Sequence, residues 1–317
     1  MQPGSRILVA GARGMVGSAI TRALRARGHT DLVLVDREEA DLMDQAAVRS
    51  LFAGSRPAYV FLAAARVGGI VANNTRRAEF IYDNLMIAAN VIRSAYDHGV
   101  TKLLNLGSSC VYPREAPQPL REEYLLTGPL EQTNEPYAIA KIAAVKLCES
   151  FRRQYGSNFI SAMPTNLYGP GDNFDLTSSH VLPALIRKFH EAKARGDGSV
   201  TVWGTGAPRR EFLHVDDVAD ALVFLMERYD EEPFVNVGWG EDLTVAELAR
   251  TVADVVGFGG EIAFDPSKPD GTPRKLLDTS RLRALGWSPR IPLREGVAQT
   301  YSWYREHVAE RLDAQAD

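Results

Sequence analysis

The run Arg6-Ile7-Leu8-Val9-Ala10 passes straight into Gly11-Ala12-Arg13-Gly14-Met15-Val16-Gly17, and an amphipathic stretch follows to about Gly28. A short apolar strand, a glycine loop and a helix in that order form the unit that binds a dinucleotide. Gly11 permits the tight turn, Gly14 lets the backbone approach a pyrophosphate, and Gly17 lets helix and strand pack closely. The free amides at the helix start then face the phosphates.

The pattern repeats. Leu32–Val35, Tyr59–Ala63, Lys102–Leu106 and Phe159–Met163 read as buried strands, with helical stretches between them. One helix is predicted over Asp44–Phe52. A second starts at a cap on Asn73 or Asn74 and runs to about His98, and a third opens near Pro136. Alternating strands and helices predict an α/β fold, a doubly wound parallel Rossmann sheet. Gly169-Pro170-Gly171-Asp172 breaks the alternation. Residues 1–168 are expected to form the nucleotide-binding domain, with 212–240 returning to it through a late strand at Phe234–Val237. Residues 169–211 and 241–317 are expected to form a smaller C-terminal α/β substrate domain. Its helices are read at Val181–Ala194, after a capping box at Thr244–Glu247, and from Leu293 to Leu312, with the tail 313–317 frayed. A helix over Asp217–Arg228 belongs to the returning segment.

The chain has 317 residues, 45% of them hydrophobic, enough for a substantial core. A net charge of −4 offers no field for nucleic acid or an acidic membrane surface. No apolar run reaches the ~20 residues of a membrane span, and the N-terminus lacks a signal-peptide layout. The two cysteines, Cys110 and Cys148, make no disulfide framework. A cytoplasmic protein without a metal site is expected, with Cys148 as apolar filler.

Tyr137 and Lys141 are four residues apart on one predicted helix and project from one face. An ammonium beside a phenol is expected to lower the phenol's pKa, and such a tyrosine exchanges a proton with a carbonyl or hydroxyl oxygen near neutral pH. Ser108, past the end of the fourth strand, is placed to bind the same oxygen. At the second strand's end, Asp36 signals a free ribose and NAD, whereas Arg37 and Arg13 signal a 2′-phosphate and NADP. Asp41-Leu42 borders the adenine or starts the next helix.

Longer runs narrow the reading. Ala63-Ala64-Ala65-Arg66-Val67-Gly68-Gly69-Ile70-Val71-Ala72-Asn73-Asn74, Leu106-Gly107-Ser108-Ser109-Cys110-Val111-Tyr112-Pro113, Asn134-Glu135-Pro136-Tyr137-Ala138-Ile139-Ala140-Lys141, Met163-Pro164-Thr165-Asn166-Leu167-Tyr168-Gly169-Pro170 and the stretch Lys268 to Lys275 carry the resemblance. The chain resembles the extended short-chain dehydrogenase/reductases and, within them, the GDP-L-fucose synthase family. That resemblance implies two chemistries in one site: epimerisation of GDP-4-keto-6-deoxy-D-mannose at C3 and C5, then reduction of the C4 ketone by NADPH. It implies Cys110 as the base and His180 as the acid of epimerisation, Tyr137 as proton donor to the C4 oxygen, Lys141 tuning Tyr137 and holding ribose, and Ser108 on the C4 oxygen. NADP(H) is expected along Gly11–Gly17, at Asp36, Arg37, Asp41 and Leu42, along Leu106–Ser109, at Lys141, along Pro164, Thr165, Asn166 and Leu167, and at His180. The GDP end is expected at Trp203, Arg210 and Asp270, with Lys188 and Lys275 as further cations. The family commonly has Arg where this chain has Lys188, and Asp36 is unexpected beside a 2′-phosphate. A homodimer built on helix 74–98 and the helix carrying Lys141, Ile142, Val145 and Leu147 is also implied. Two alternatives stay open: an NAD-dependent nucleotide-sugar 4-epimerase or dehydratase of the same fold, and a dinucleotide sensor without catalysis.

Overall fold

The structure is a computed structural model that describes residues 1–310 apart from 3 and 269. The expected frayed tail, the last two residues of the expected final helix and one residue of the 268–275 loop lie outside the described residues.

Six strands form one parallel sheet: β1 Ile7–Ala10, β2 Leu32–Val35, β3 Tyr59–Leu62, β4 Lys102–Leu106, β5 Phe159–Pro164 and β6 Val235–Val237, in the order β6-β5-β4-β3-β1-β2. Ile7 stands opposite both Leu32 and Tyr59, so β1 lies between β2 and β3 where the winding reverses. Ligands gather beyond the strand C-termini at such a point. The side chains of β1 alternate between two cores. Ile7 and Val9 pack on the face covered by α1 (Met15–Ala26) and α7 (Val215–Arg228). Leu8 and Ala10 pack on the face covered by α2 (Gln45–Ser55), α4 (Arg77–Asp97) and α5 (Glu135–Tyr155). A strand covered on both faces has no polar positions, which explains the unbroken apolar run.

The late strand pairs with β5 at the sheet edge, Val237 opposite Pro164. A further core lies outside the sheet, with Leu182, Leu185 and Phe189 of α6 (Val181–Arg195), Leu248 and Val252 of α8 (Val245–Val256), and Val297 and Tyr304 of the helix Leu293–Tyr304.

Several boundaries differ from the sequence reading. The second long helix is two pieces, α3 (Ile70–Thr75) and α4, separated at Arg76 with φ −116° and ψ 43°. Asn73 does not cap it. Its amide donates to the Gly68 and Gly69 carbonyls at 2.6 and 3.1 Å and pins the glycine loop instead. α7 starts at Val215, two residues before Asp217. His214 caps it by accepting from the Asp216 amide at 3.3 Å, while the Asp217 carboxylate accepts from the Arg290 and Ile291 amides at 3.0 and 2.9 Å. The final α-helix ends at Tyr304 and winds on as a wider π-type turn over Arg305–Ala309.

Candidate active site

The glycine loop is a cradle shaped by close approach. Gly11 has φ +82°, and a Cβ there would lie 2.8 Å from Ala64 Cα. A Cβ on Gly17 would lie 1.9 Å from the Gly11 carbonyl, so only hydrogen fits where α1 meets the turn. Gly14 caps α1 with no side chain, and the first amides stay available to an anion. These residues fit a dinucleotide pyrophosphate. Asp36 points back at the loop, accepting from the Arg13 amide at 3.0 Å. The Arg13 guanidinium reaches Glu38 at 2.5 Å and Glu39 at 3.0 Å. Arg37 and Asp41 are exposed, Asp41 accepting from the Met43 amide, while Leu42 packs into the core.

Beside the cradle, β4 ends at Leu106, and Gly107 and Ser108 carry the chain outward. The Ser108 amide rests on Met163 sulfur at 2.9 Å. Ser109–Val111 forms one 3₁₀ turn capped by the Ser108 hydroxyl. α5 opens at Asn134 with Pro136 in its first turn and brings Tyr137 and Lys141 over the end of β4. The Tyr137 ring packs edge-on against Phe80 at 6.3 Å between centroids. The Lys141 ammonium donates to the Leu106 carbonyl at 2.7 Å and lies 5.8 Å from the Tyr137 ring centroid.

The expected acidification of Tyr137 does not hold. Burial pushes its phenol above the ordinary value, the nearby Cys110 adds to this, and the Ser108 hydroxyl acts in the other direction. Burial also holds the Lys141 ammonium down, to about 8. Desolvation outweighs the attraction that the four-residue spacing suggested. The phenol therefore keeps its proton, the state a proton donor must start from.

Cys110 is buried, 7% exposed, and burial pushes its thiol up as well; Lys275, the Ser108 hydroxyl and Lys141 pull it back down. The thiol the resemblance implies as a base is therefore reluctant to ionise on its own. His180 precedes α6 as its cap residue. Part of the residue is exposed to solvent, yet desolvation of the ring, and then the Lys275 charge, depress its imidazolium.

Around the turn after strand Ser199–Trp203, four expected residues meet. Trp203 is 54% exposed, and the Lys188 and Lys268 ammoniums each lie 5.6 Å from its ring centroid. Lys188 also donates to the Thr201 carbonyl at 3.1 Å. The Asp270 carboxylate binds the Thr205 amide and hydroxyl, both at 2.8 Å. Arg210 donates to the Asp270 carbonyl at 3.3 Å. Lys275 is separate from this group and lines a narrow cleft with Cys110 and Ser109. Beyond β5, Thr165 and Asn166 both donate to the Glu211 carbonyl, at 3.2 and 2.8 Å.

The NAD dependent epimerase/dehydratase family model matches residues 7–238. Over 307 residues the chain is 59% identical to GDP-L-fucose synthase 1 of Arabidopsis thaliana, covering 97% of this chain and 95% of that protein. It is 57% identical over 311 residues to GDP-L-fucose synthase of Escherichia coli K12, with 95% and 97% covered. The chain belongs to the GDP-L-fucose synthase family. A GDP-L-fucose synthetase of Naegleria fowleri, solved bound to NADP, superposes with a TM-score of 0.90 at 30% identity, over 98% of this chain and 96% of that one.

In this synthase-family fold, four residues escaped the sequence reading. Glu211, wholly buried, accepts from the Gly240 and Leu277 amides at 2.6 and 3.0 Å and ties the late strand's end to the segment after Lys275. Asn134 and Glu131 line the cleft behind Cys110. Asp172 buries one carboxylate oxygen without a hydrogen-bond partner, and burial raises its pKa to about 7. The first three announce themselves only once distant segments meet. Asp172 did lie in a conspicuous loop, but glycine and proline there signalled a chain break and drew attention from the acid.

Proposed function

We propose that the chain converts GDP-4-keto-6-deoxy-D-mannose to GDP-L-fucose, as a 3,5-epimerase and an NADPH-dependent 4-reductase in one site. The observation that carries this is the meeting of two sets of groups: Cys110 lies within electrostatic reach of Tyr137, Lys141 and Lys275, beside the Ser108 hydroxyl. A reductase alone has no need of a thiol there.

NADP(H), when bound, supplies the hydride for C4. The chain's own residues do the rest. The amides after Gly14 and the segment Pro164–Leu167 would hold the dinucleotide, with Arg13 and Arg37 at the 2′-phosphate and Lys141 at the nicotinamide ribose. Cys110 takes protons from C3 and C5, which the C4 ketone makes acidic. His180 returns protons on the opposite ring face, and a depressed imidazole is the stronger acid when it does carry a proton. Ser108 holds the C4 oxygen, and Tyr137, kept protonated by burial, gives that oxygen its proton. Trp203, Arg210, Asp270 and Lys188 receive the GDP end, Arg210 through its paired donors. Identity of 59% and 57% to named synthases weighs against the 4-epimerase, dehydratase and sensor alternatives.

Residues 1–168 with 212–240 form the nucleotide-binding part in this reading, and 169–211 with 241–317 the substrate part. Both cysteines are free thiols, which suits the cytoplasm. Among the described residues no helix is long and apolar enough to cross a membrane. The protein assembles as a homodimer through the outer flank of α4 and α5, where Tyr82 and Ile139 are 61% and 41% exposed. Ile142 and Val145, named for that interface from the sequence, face inward and are spent on the chain's own core. The test of function is incubation of the pure protein with the keto sugar and NADPH. GDP-L-fucose with one NADP⁺ released per product supports the reading; a non-epimerised 4-reduced sugar or no NADPH oxidation contradicts it.

A further inference from the structure

Lys275 entered as a cation for the GDP end, but its surroundings point elsewhere. Strand Arg274–Lys275 runs parallel to Arg209–Arg210, with Lys275 opposite Arg210. The backbone just beyond is stitched down on both sides. The Leu276 amide donates to Gln118 Oε1 at 3.0 Å, Leu276 accepts from the Leu120 amide at 2.7 Å, and the Leu277 amide donates to Glu211 at 3.0 Å. From this fixed position Lys275 enters the narrow cleft that it shares with Cys110, Ser109, Glu131 and Asn134. The charged and titratable groups facing it are Cys110, Arg210, Glu131 and His180. Glu131 is already engaged, by Arg114 at 3.5 Å and by the Thr133 amide and hydroxyl. The groups facing Cys110 are Lys275, Lys141, Tyr137 and the Ser108 hydroxyl.

We propose that Lys275 is the charge partner of Cys110, its ammonium stabilising the thiolate that takes the C3 and C5 protons. The proposal rests on the reading of Cys110 as the base. In the step, sulfur takes the proton, the C–H electron pair becomes the enolate, and the negative charge passes to the C4 oxygen. Lys275 keeps its proton throughout. The need for a partner is physical: a thiol in this burial ionises too reluctantly to act near neutral pH, and a nearby cation is what makes a buried thiol reactive. Of the groups that draw Cys110 down, Lys275 has the largest influence. After desolvation, the same charge further disfavours imidazolium at His180, so a proton carried there is given up more easily.

The test is the pH profile of Cys110 alkylation by iodoacetamide in the full-length protein, followed by peptide mass so that Cys148 is counted apart. In Lys275→Met the midpoint is expected to rise by about one pH unit or more, which is about tenfold slower alkylation at pH 7. Deuterium exchange into the keto sugar should slow by a similar factor. Lys275→Arg keeps a cation and should stay nearer the wild-type midpoint. Should Lys275→Met fail to fold, Lys275→Gln takes its place. An unchanged midpoint overturns the proposal, and with a raised KM for the GDP-sugar it returns Lys275 to the diphosphate. The alkylation profile reports the pairing whether or not Cys110 is the base. Cys110→Ser with normal exchange would sink that reading and leave a shifted midpoint standing.

Discussion

Ser108, Tyr137 and Lys141 stand on or beside long regular elements, a central strand of five residues and a helix of twenty-one. His180, Trp203, Arg210, Asp270 and Lys275 stand on a helix cap, loops and strands of two to five residues. The first set is fixed by the sheet and by the Lys141 bond to the Leu106 carbonyl. The second is fixed by single side chains that reach across segments, Asp270 to Thr205, Gln118 to Leu276 and Glu211 to Leu277. Elements held by few bonds open more readily than a sheet. In the proposed reading, reduction draws on a rigid constellation and epimerisation on one assembled from both sets, with Cys110 between them.

The widest separation should come from Tyr137→Phe. It removes the proposed proton donor and leaves the framework, so NADPH oxidation should fall by about 10³-fold, within the range of a general acid. NADPH binding, followed by cofactor fluorescence, should persist. Oxidation within a few-fold of wild type would break the assignment. On the other side, His180→Asn should slow deuterium exchange at C3 and C5 by ~10²-fold, measured by proton NMR of recovered substrate. Unchanged exchange would move the acid elsewhere.

Cofactor choice gives a smaller effect. Arg13 is held by Glu38 and Glu39, both of which a 2′-phosphate must compete with. Glu38→Gln with Glu39→Gln should lower the KM for NADPH about two- to fivefold, the scale of exposed ion pairs, and leave NADH unchanged. Improved NADH use alone would show that the acids exclude ribose rather than restrain Arg13.

Asp172 tests the loop-built side through stability. Its folded pKa of about 7 lies above the ordinary 3.8 of an aspartate, so the folded protein binds a proton more tightly than the unfolded chain. Stability from this group is full below about 4 and is lost as pH rises towards 7. Asp172→Asn should therefore raise Tm at pH 8 by roughly 3 °C and flatten the pH dependence between 4 and 7. Equal Tm values at pH 8 would show that the buried oxygen has found a partner.

The contrast between the regions also explains what the sequence could and could not disclose. Periodicity exposed the sheet, because β1 and its neighbours are buried on both faces and their apolar runs are unbroken. Asp44 read as the start of α2 and caps it, since capping is local chemistry. Arg76, where the long helix breaks, is neither glycine nor proline, so no local breaker marks the interruption. The Tyr137–Lys141 spacing showed that the two share a face but not that burial would dominate both ionisations. Lys275 was visible in the sequence as a cation for the GDP end, not as a neighbour of Cys110. Its place against Cys110 depends on strand pairing between residues some sixty positions apart, which no local pattern encodes.

The central claim is that one cleft holds two separable chemistries, and Cys110→Ser tests it most directly. The variant is incubated in heavy water with GDP-4-keto-6-deoxy-D-mannose and NADPH, and product and residual substrate are read by NMR. The account predicts far less deuterium at C3 and C5 than wild type introduces, while NADPH oxidation continues and yields a C4-reduced sugar that was not epimerised. Wild-type deuterium at both carbons would contradict it and leave Cys110 as a buried apolar side chain at the end of a strand.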